Sequence, residues 1–551
     1  MHARRRDRLA LVAPEQDLLV IGGGINGAGV ARDAALRGLR VVLFDKDDFG
    51  AGTSSRTSKL VHGGLRYLEH GALRLVWEAC RERRILLQQA PHLVRPLPFV
   101  FPLYEDSRFP PWKLRAGMWL YDLLATFRNV RPHRMLRPEH AGAWPDGLRR
   151  DGLRTLALYY DACMDDARLV LANVLGAQAA GAGTFNYVGV TRLLLHGGRV
   201  GGVEVEDSLS GERREFRAPC VVACTGPWTN ALLAGLPGTP QPLAPTRGTH
   251  IVVRPLVKHG FTLAAGADGR VFFVLPWLGL TLVGTTDVAS ADDADEVTPT
   301  AAEIDYLLAE TNRFFPEARL MKSDVIAAFA GLRPLLRADG SASSRPREHA
   351  LLEPLPGLLC VLGGKYTTYR AVAEQVVDRV QSQLQRRHPC RTAQLPLPGG
   401  DLPWGAREHW QEGRAWRQEV VRLVAASSLD TPTVEHLLRT YGSRAAPIAA
   451  LAGQEPAAAR RLCPHLPHIE AEVRFALREE MALQLEDWFY RRSRTAYHPC
   501  HGLEALERVA ELFAAELGWT EAEGAAASAR LLQGLQKASL TPAPRASTRS
   551  A

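Results

Sequence analysis

Residues 17–45, DLLVIGGGINGAGVARDAALRGLRVVLFD, decide how the chain begins to fold. The apolar run 17–21 stops at three glycines. A helical pattern then runs from Ile25 to Arg37 and closes on Gly38, a residue suited to a C-cap. Residues 40–45 read as a second buried strand, so strand, glycine turn, helix and strand make one βαβ unit. Gly22-x-Gly24-x-x-Gly27 falls between the first strand and its helix, where each glycine has a reason. Gly22 allows the tight turn, Gly24 lets backbone approach a pyrophosphate, and Gly27 lets helix pack on strand. The helix then points free N–H groups and the positive end of its dipole at the phosphates. Asp45, 23 positions after Gly22, is placed to accept both ribose hydroxyls. The unit predicts a dinucleotide site without separating FAD from NAD.

Two later strand-to-glycine junctions tilt that choice. Residues 221–226 (VVACTG) and 361–364 (VLGG) each run an apolar strand into a glycine turn. An extended flavin cofactor is clasped from such distant segments. Between these points the pattern reads as sheet at 201–206, 219–224, 249–254, 271–276, 280–285 and 358–362, with helices at 72–90, 301–315 and 368–384. A proline-rich stretch from Pro91 to Pro111 breaks the pattern after the first of those helices. After about residue 395 the strands vanish, and helices are expected over 434–451, 468–490 and 502–536. The expected organisation is a disordered extension at 1–15, a cofactor and substrate region at 16–394, a helical region at 395–536, and a disordered tail at 537–551.

A chain of 551 residues, 46% hydrophobic and 23% charged, has an ordinary globular composition and room for a core that encloses a large cofactor. The net charge of +8 permits anionic substrates or an anionic membrane face and demands neither. Eight cysteines without a CxxC pair argue against a disulfide framework or a zinc site and fit a reducing compartment. The five-residue apolar run Leu9–Ala13 is too short for a secretory segment, and no run of ~18 apolar residues spans a bilayer. No segment reads as a nucleic-acid-binding module.

Residues 53–70, TSSRTSKLVHGGLRYLEH, narrow the reading. Together with IGGGINGAG (21–29), DDARLVLAN (165–173), TGPW (225–228), GTTD (284–287), GLRPL (331–335) and GGKYTTYR (363–370), they resemble the FAD-dependent glycerol-3-phosphate dehydrogenases. The resemblance runs in order from about 17 to 380 and more loosely to about 535. It implies an α/β architecture: a Rossmann-like FAD-binding domain of glutathione-reductase type, an α+β substrate domain on a mixed sheet, and an all-helical C-terminal domain. It implies that Gly22, Gly24, Gly27 and Asp45 hold the adenosine and pyrophosphate end of FAD. Thr53, Ser54, Ser55 and Lys59 would run along the cofactor, and Thr225, Gly226, Gly364 and Thr367 would clasp it.

For the substrate, sn-glycerol 3-phosphate, the resemblance points to His62, Arg66, Tyr67, His250, Arg333 and Lys365. The chemistry explains these residue types. A phosphate dianion suits Arg and Lys, and the planar Arg fork can hold two oxygens at once. Hydride leaves C2 while the C2 hydroxyl loses a proton, which requires a base within ~3 Å and cations near the developing charge. His62 or His250 fits the base, because imidazole titrates near working pH. Arg333 and Lys365 fit phosphate or oxyanion stabilisation.

The dehydrogenase branch passes electrons to a quinone on the cytoplasmic membrane face, so peripheral membrane association is expected, with a homodimer as a further family expectation. Residues 112–137 interleave Trp112, Trp119, Tyr121 and Phe127 with Lys113 and arginines, as a bilayer interface does. The alternative for that segment is a packed helix with a solvated basic edge. Competing functions are a glycerol-3-phosphate oxidase that reduces oxygen to peroxide, an amine oxidase of the same broad fold, and a non-catalytic flavoprotein. The compact Thr286–Arg333 stretch and the His62, Arg333, Lys365 set favour the dehydrogenase. No EF-hand spacing occurs, and no metal site is expected.

Overall fold

The computed structural model describes residues 9–126, 129–139, 147–236, 238–337 and 349–538. Its first sheet grows outward from Leu18–Ile21, which pairs in parallel with Val41–Phe44 on one side and Cys220–Ala223 on the other. All three strands are buried along their whole length, which is why they read as unbroken apolar runs and show no alternation. Gly183–Phe185 and Leu358–Gly363 extend the sheet in parallel, and His349–Leu355 closes one edge antiparallel. Helices Ile25–Leu36, Asp166–Ala179 and Tyr369–Gln383 share one apolar cluster with this sheet. A three-stranded antiparallel sheet (Val188–His196, Arg199–Asp207, Arg213–Arg217) shares the cluster on the other face.

The second sheet has ten strands and carries the chemistry-bearing face. Val94–Tyr104 runs through it for 11 residues, although its prolines announced a break. Pro96, Pro98 and Pro102 share one parity, so their missing N–H groups fall on one edge of the strand. There the parallel neighbour pairs only Phe99 and Val100, while the other edge pairs continuously with Leu153–Met164. Thr246–Val253 pairs with both Leu280–Gly284 and Val325–Arg333.

The C-terminal region is helical from Gly405 onward, with more breaks than the periodicity predicted. The expected helix 434–451 is two, Thr431–Tyr441 and Ala445–Gln454. They part at Gly442 (φ 59°), where a Cβ would lie 1.9 Å from the Gly399 carbonyl oxygen. The expected helix 468–490 ends at Glu479 and is followed by a separate π-helical turn, Asp487–Arg492. The ordered chain also starts earlier than residue 16. Leu9 is buried in the core, and residues 14–16 bond to Arg217 through Gln16 N–H (2.9 Å) and the Pro14 carbonyl (2.7 Å). Residues 1–8 and 539–551 lie outside the described residues, and helix Glu521–Ala538 runs into the start of the expected tail. Buried Arg32 ties the fingerprint helix to the start of this region, donating to the Leu395 and Pro396 carbonyls at 3.0 and 3.1 Å.

Candidate active site

A cavity of about 820 Å³ opens at the C-terminal ends of the first sheet's parallel strands, where open α/β sheets hold ligands. Gly22, Gly24, Asp45, Thr53, Ser54, Thr225, Gly226, Gly364 and Lys365 line it, so segments hundreds of residues apart meet around one space. Gly22 is left-handed (φ 96°), and a Cβ there would come within 2.6 Å of the Cys224 carbonyl oxygen. The first free N–H of the fingerprint helix, on Ile25, donates to Ser54 Oγ at 3.0 Å. The Asp45 carboxylate accepts from Gly23 N–H (2.6 Å) and Asp47 N–H (2.9 Å), yet burial raises its carboxyl to about 7. These features fit a dinucleotide: a glycine floor, a helix N-terminus and an acceptor for ribose hydroxyls.

Gly27 does not line the cavity; a Cβ on it would lie 1.9 Å from Gly22 O, so its part is the packing of helix on strand. Ser55 is buried behind the lining. Lys59, expected along the cofactor, does not line the cavity. Its ammonium is buried, held by both Asp166 oxygens (2.9 and 2.8 Å) and the Ser55 carbonyl (2.6 Å). Asp166 also accepts from the Thr57 hydroxyl at 2.7 Å, which explains why the 53–59 run and the DDAR motif occur together. Removing one partner of such a buried pair costs about 3–5 kcal/mol.

The second sheet presents one face to this segment. Directly opposed residues share a face, so Phe329, His250, Gly284 and Phe273 stand in a row across four strands. Gly284 leaves the gap into which the His250 imidazole leans; a Cβ there would meet the ring at 2.2 Å. His250 Nε2 bonds Ser58 Oγ at 2.8 Å, and its ring stacks on Phe329 at 5.0 Å. Burial, with Arg333 and Lys59 nearby, holds the imidazole well below its usual range. Arg333 lies over Gly248 and donates to Thr285 Oγ1 (2.7 Å), the Thr286 carbonyl (3.1 Å) and Asp287 (3.2 Å). The GTTD motif is thus the bracket for the arginine of GLRPL.

The HGG motif resolves into two close approaches. A Cβ on Gly63 would strike the Tyr121 hydroxyl at 2.3 Å, and one on Gly64 (φ 78°) would strike the Tyr67 ring at 2.3 Å. Only glycine lets Tyr67 fold back, and its ring then covers the Lys365 ammonium 3.4 Å from the centroid. Thr367 bridges to the same strand end, its Oγ1 accepting from His62 N–H at 3.2 Å. The half-exposed His62 ring sits 6.3 Å from Phe273, which brings it to the His250 row. Arg66 lies on the turn Leu65–His70, and its side chain is outside the described residues.

Sequence reasoning missed Ser58 and Asp166 as partners, although both lie in quoted motifs. It also missed the Val190–Leu193 hairpin wall, which carries no motif. The C-terminal region contributes no lining residue to the cavity but holds the loop beside Asp45. Asp48, fully buried beside the Asp45 loop, is gripped by Arg491 (2.5 Å) and Arg492 (3.0 Å) from the π-helical turn.

Comparison with known proteins agrees with this geometry. Residues 17–379 match the family described as FAD dependent oxidoreductase, and 390–524 match the C-terminal domain of alpha-glycerophosphate oxidase. A Synechocystis protein named glycerol-3-phosphate dehydrogenase is 40% identical over 92% of this chain and 93% of its own. The mouse mitochondrial glycerol-3-phosphate dehydrogenase is 36% identical over 92% of this chain and 71% of its own. The structure of the Bacillus halodurans glycerol-3-phosphate dehydrogenase complexed with FAD superposes with a TM-score of 0.82 at 29% identity, covering 98% of this chain and 99% of that one. A glycine cradle on a parallel sheet, a cation-bearing sheet face beside it and these full-length similarities place the chain in the family of FAD-dependent glycerol-3-phosphate dehydrogenases.

Proposed function

We propose that the chain oxidises sn-glycerol 3-phosphate to dihydroxyacetone phosphate and passes the electrons to a membrane quinone. The observation that carries this reading is the continuity of one cavity from Gly22 and Asp45 to Lys365 and Pro334, the chain neighbour of Arg333. FAD, when bound there, supplies the acceptor for the hydride that leaves C2. The glycine turn and helix N-terminus hold its phosphates, and Asp45 takes the ribose hydroxyls. Arg333, its planar fork fixed by three acceptors, is preorganised to grip the substrate phosphate, with Lys365 as the second cation. His62 takes the C2 hydroxyl proton. His250 is too buried and too weak a base for that step, and instead orients Ser58.

The surface supports a membrane-bound acceptor. No helix among the described residues is long and apolar enough to cross a membrane. Helix Pro111–Leu124 exposes Trp112, Trp119 and Leu123, and the adjoining helix Leu73–Gln89 exposes Leu73 and Trp77. Arg74, Arg81, Lys113 and Arg115 are exposed on the same pair of helices. That combination supports seating on an anionic bilayer, where a quinone is reached.

The test is anaerobic addition of sn-glycerol 3-phosphate to the FAD-loaded protein. The flavin band should bleach, recover with a soluble quinone analogue, and recover slowly in air. Arg333→Gln should need about 10- to 100-fold more substrate for half-bleaching, given ~1.5–3 kcal/mol for a charged hydrogen bond. No bleaching sinks the substrate assignment, and fast recovery in air with peroxide moves the chain to the oxidases.

A further inference from the structure

Within the helical region a carboxylate lies buried between two imidazoles, which hold it well below the usual carboxylate range. Glu472, wholly inaccessible, lies in the first turn of helix Glu470–Glu479. Its Oε1 stands 2.9 Å from His436 Nε2, 3.2 Å from His468 Nδ1 and 3.1 Å from the Tyr441 hydroxyl. Its Oε2 accepts from Ile469 N–H at 2.9 Å. Among the described residues no Lys or Arg forms an ion pair with it. A capping glutamate needs no such depth, and an ionised carboxylate out of water is costly unless a cation accompanies it.

The two imidazoles and the carboxylate have the composition and spacing of a metal centre. Their three donor atoms all lie within 4.8 Å of one another. A tetrahedral ion ~2.1 Å from each ligand sets ligand atoms about 3.4 Å apart, close to the 2.9 and 3.2 Å found here. The outer shell is present too. Tyr441 and the Ile469 amide anchor the carboxylate, and Thr440 Oγ1 lies 3.4 Å from the other nitrogen of His436. We propose that His436, His468 and Glu472 bind one Zn²⁺ that staples helix Thr431–Tyr441 to helix Glu470–Glu479. Nitrogen and carboxylate donors select Zn²⁺ over the oxygen-seeking Ca²⁺ and Mg²⁺. In the sequence only His468 and Glu472 stand at a ligand spacing, four residues apart, while His436 lies 36 residues before Glu472.

The test uses the full FAD-loaded chain, incubated with ZnCl₂ and dialysed, with zinc measured by mass spectrometry. Wild type should retain about one zinc per chain, and His436→Gln and His468→Gln should retain none. His436→Cys, which keeps a ligand, should retain it. A strong chelator should lower the wild-type unfolding midpoint and leave both Gln variants unmoved. Wild type holding no more zinc than the Gln variants, or a midpoint indifferent to the chelator, overturns the proposal and leaves a hydrogen-bonded hub.

Discussion

Asp45 couples cofactor uptake to pH. Burial raises its carboxyl from the usual ~3.9 to about 7, so the folded apoprotein keeps a proton that the unfolded chain has released. That proton favours the folded state at low pH, and the advantage fades as pH rises from ~4 through 7. Ribose hydroxyls donate to the ionised form, so FAD binding pulls the proton off. FAD affinity of the apoprotein should therefore rise between pH 6 and 8, and FAD should raise the unfolding midpoint more at pH 8 than at pH 6. Titrations at the two pH values check this, and equal affinities would remove Asp45 from the site. That Asp45, Gly22 and Gly24 line one cavity was legible because their spacing along βαβ is local geometry. That Lys59 does not line it was hidden because its partner, Asp166, sits 107 residues away, and nothing local tells an ammonium beside a cofactor from one locked in an ion pair.

At the scale of elements, apolar strands that run into glycine turns could be read, while the strands Val94–Tyr104, Leu153–Met164 and Val325–Arg333 and the breaks within helices could not. Leu18–Ile21, Val41–Phe44, Cys220–Ala223 and Leu358–Gly363 are short apolar runs, so pattern and fold agree there, whereas Gly183–Phe185 and His349–Leu355 carry no such run. The π-helical turn Asp487–Arg492 sits inside an unbroken helical periodicity, and its departure depends on contacts with the distant Asp48. That turn is a clamp on the cofactor loop. Arg492 grips Asp48 and also donates to the Glu480 carbonyl at 2.6 Å, while Glu480 receives Arg168 at 2.8 Å from the base of the Asp166 helix. Arg492→Gln leaves the Asp48 carboxylate buried with one cation fewer, which costs several kcal/mol. FAD affinity should fall by about tenfold or more together with the unfolding midpoint, and adding Asp48→Asn should restore part of both. A lowered midpoint with unchanged FAD affinity would mean that the turn supports the fold without fixing the loop.

At the scale of the whole molecule, the exposed aromatics are separate from the residues that line the cavity. The sequence pointed to 112–137 as either a membrane contact or a packed helix, and the structure gives that helix both faces. Leu114, Met118 and Tyr121 are buried against the sheet, while Trp112 is 71% and Trp119 59% exposed. Periodicity alone cannot separate these outcomes, because a helix apolar on two faces looks the same whether its second face meets protein or lipid. Burying each large apolar side chain in a bilayer interface is worth about 1.5–3 kcal/mol, and the four exposed cations add attraction to anionic headgroups. Replacing Trp112, Trp119 and Leu123 together by Ser should therefore move the protein from the pellet to the supernatant with anionic phospholipid vesicles. Bleaching by sn-glycerol 3-phosphate in solution should stay unchanged, since none of the three lines the cavity. Reduction of a vesicle-embedded quinone should fall along with pelleting. If the variant still pellets like wild type, the bilayer is met elsewhere on the molecule, and these aromatics need another partner.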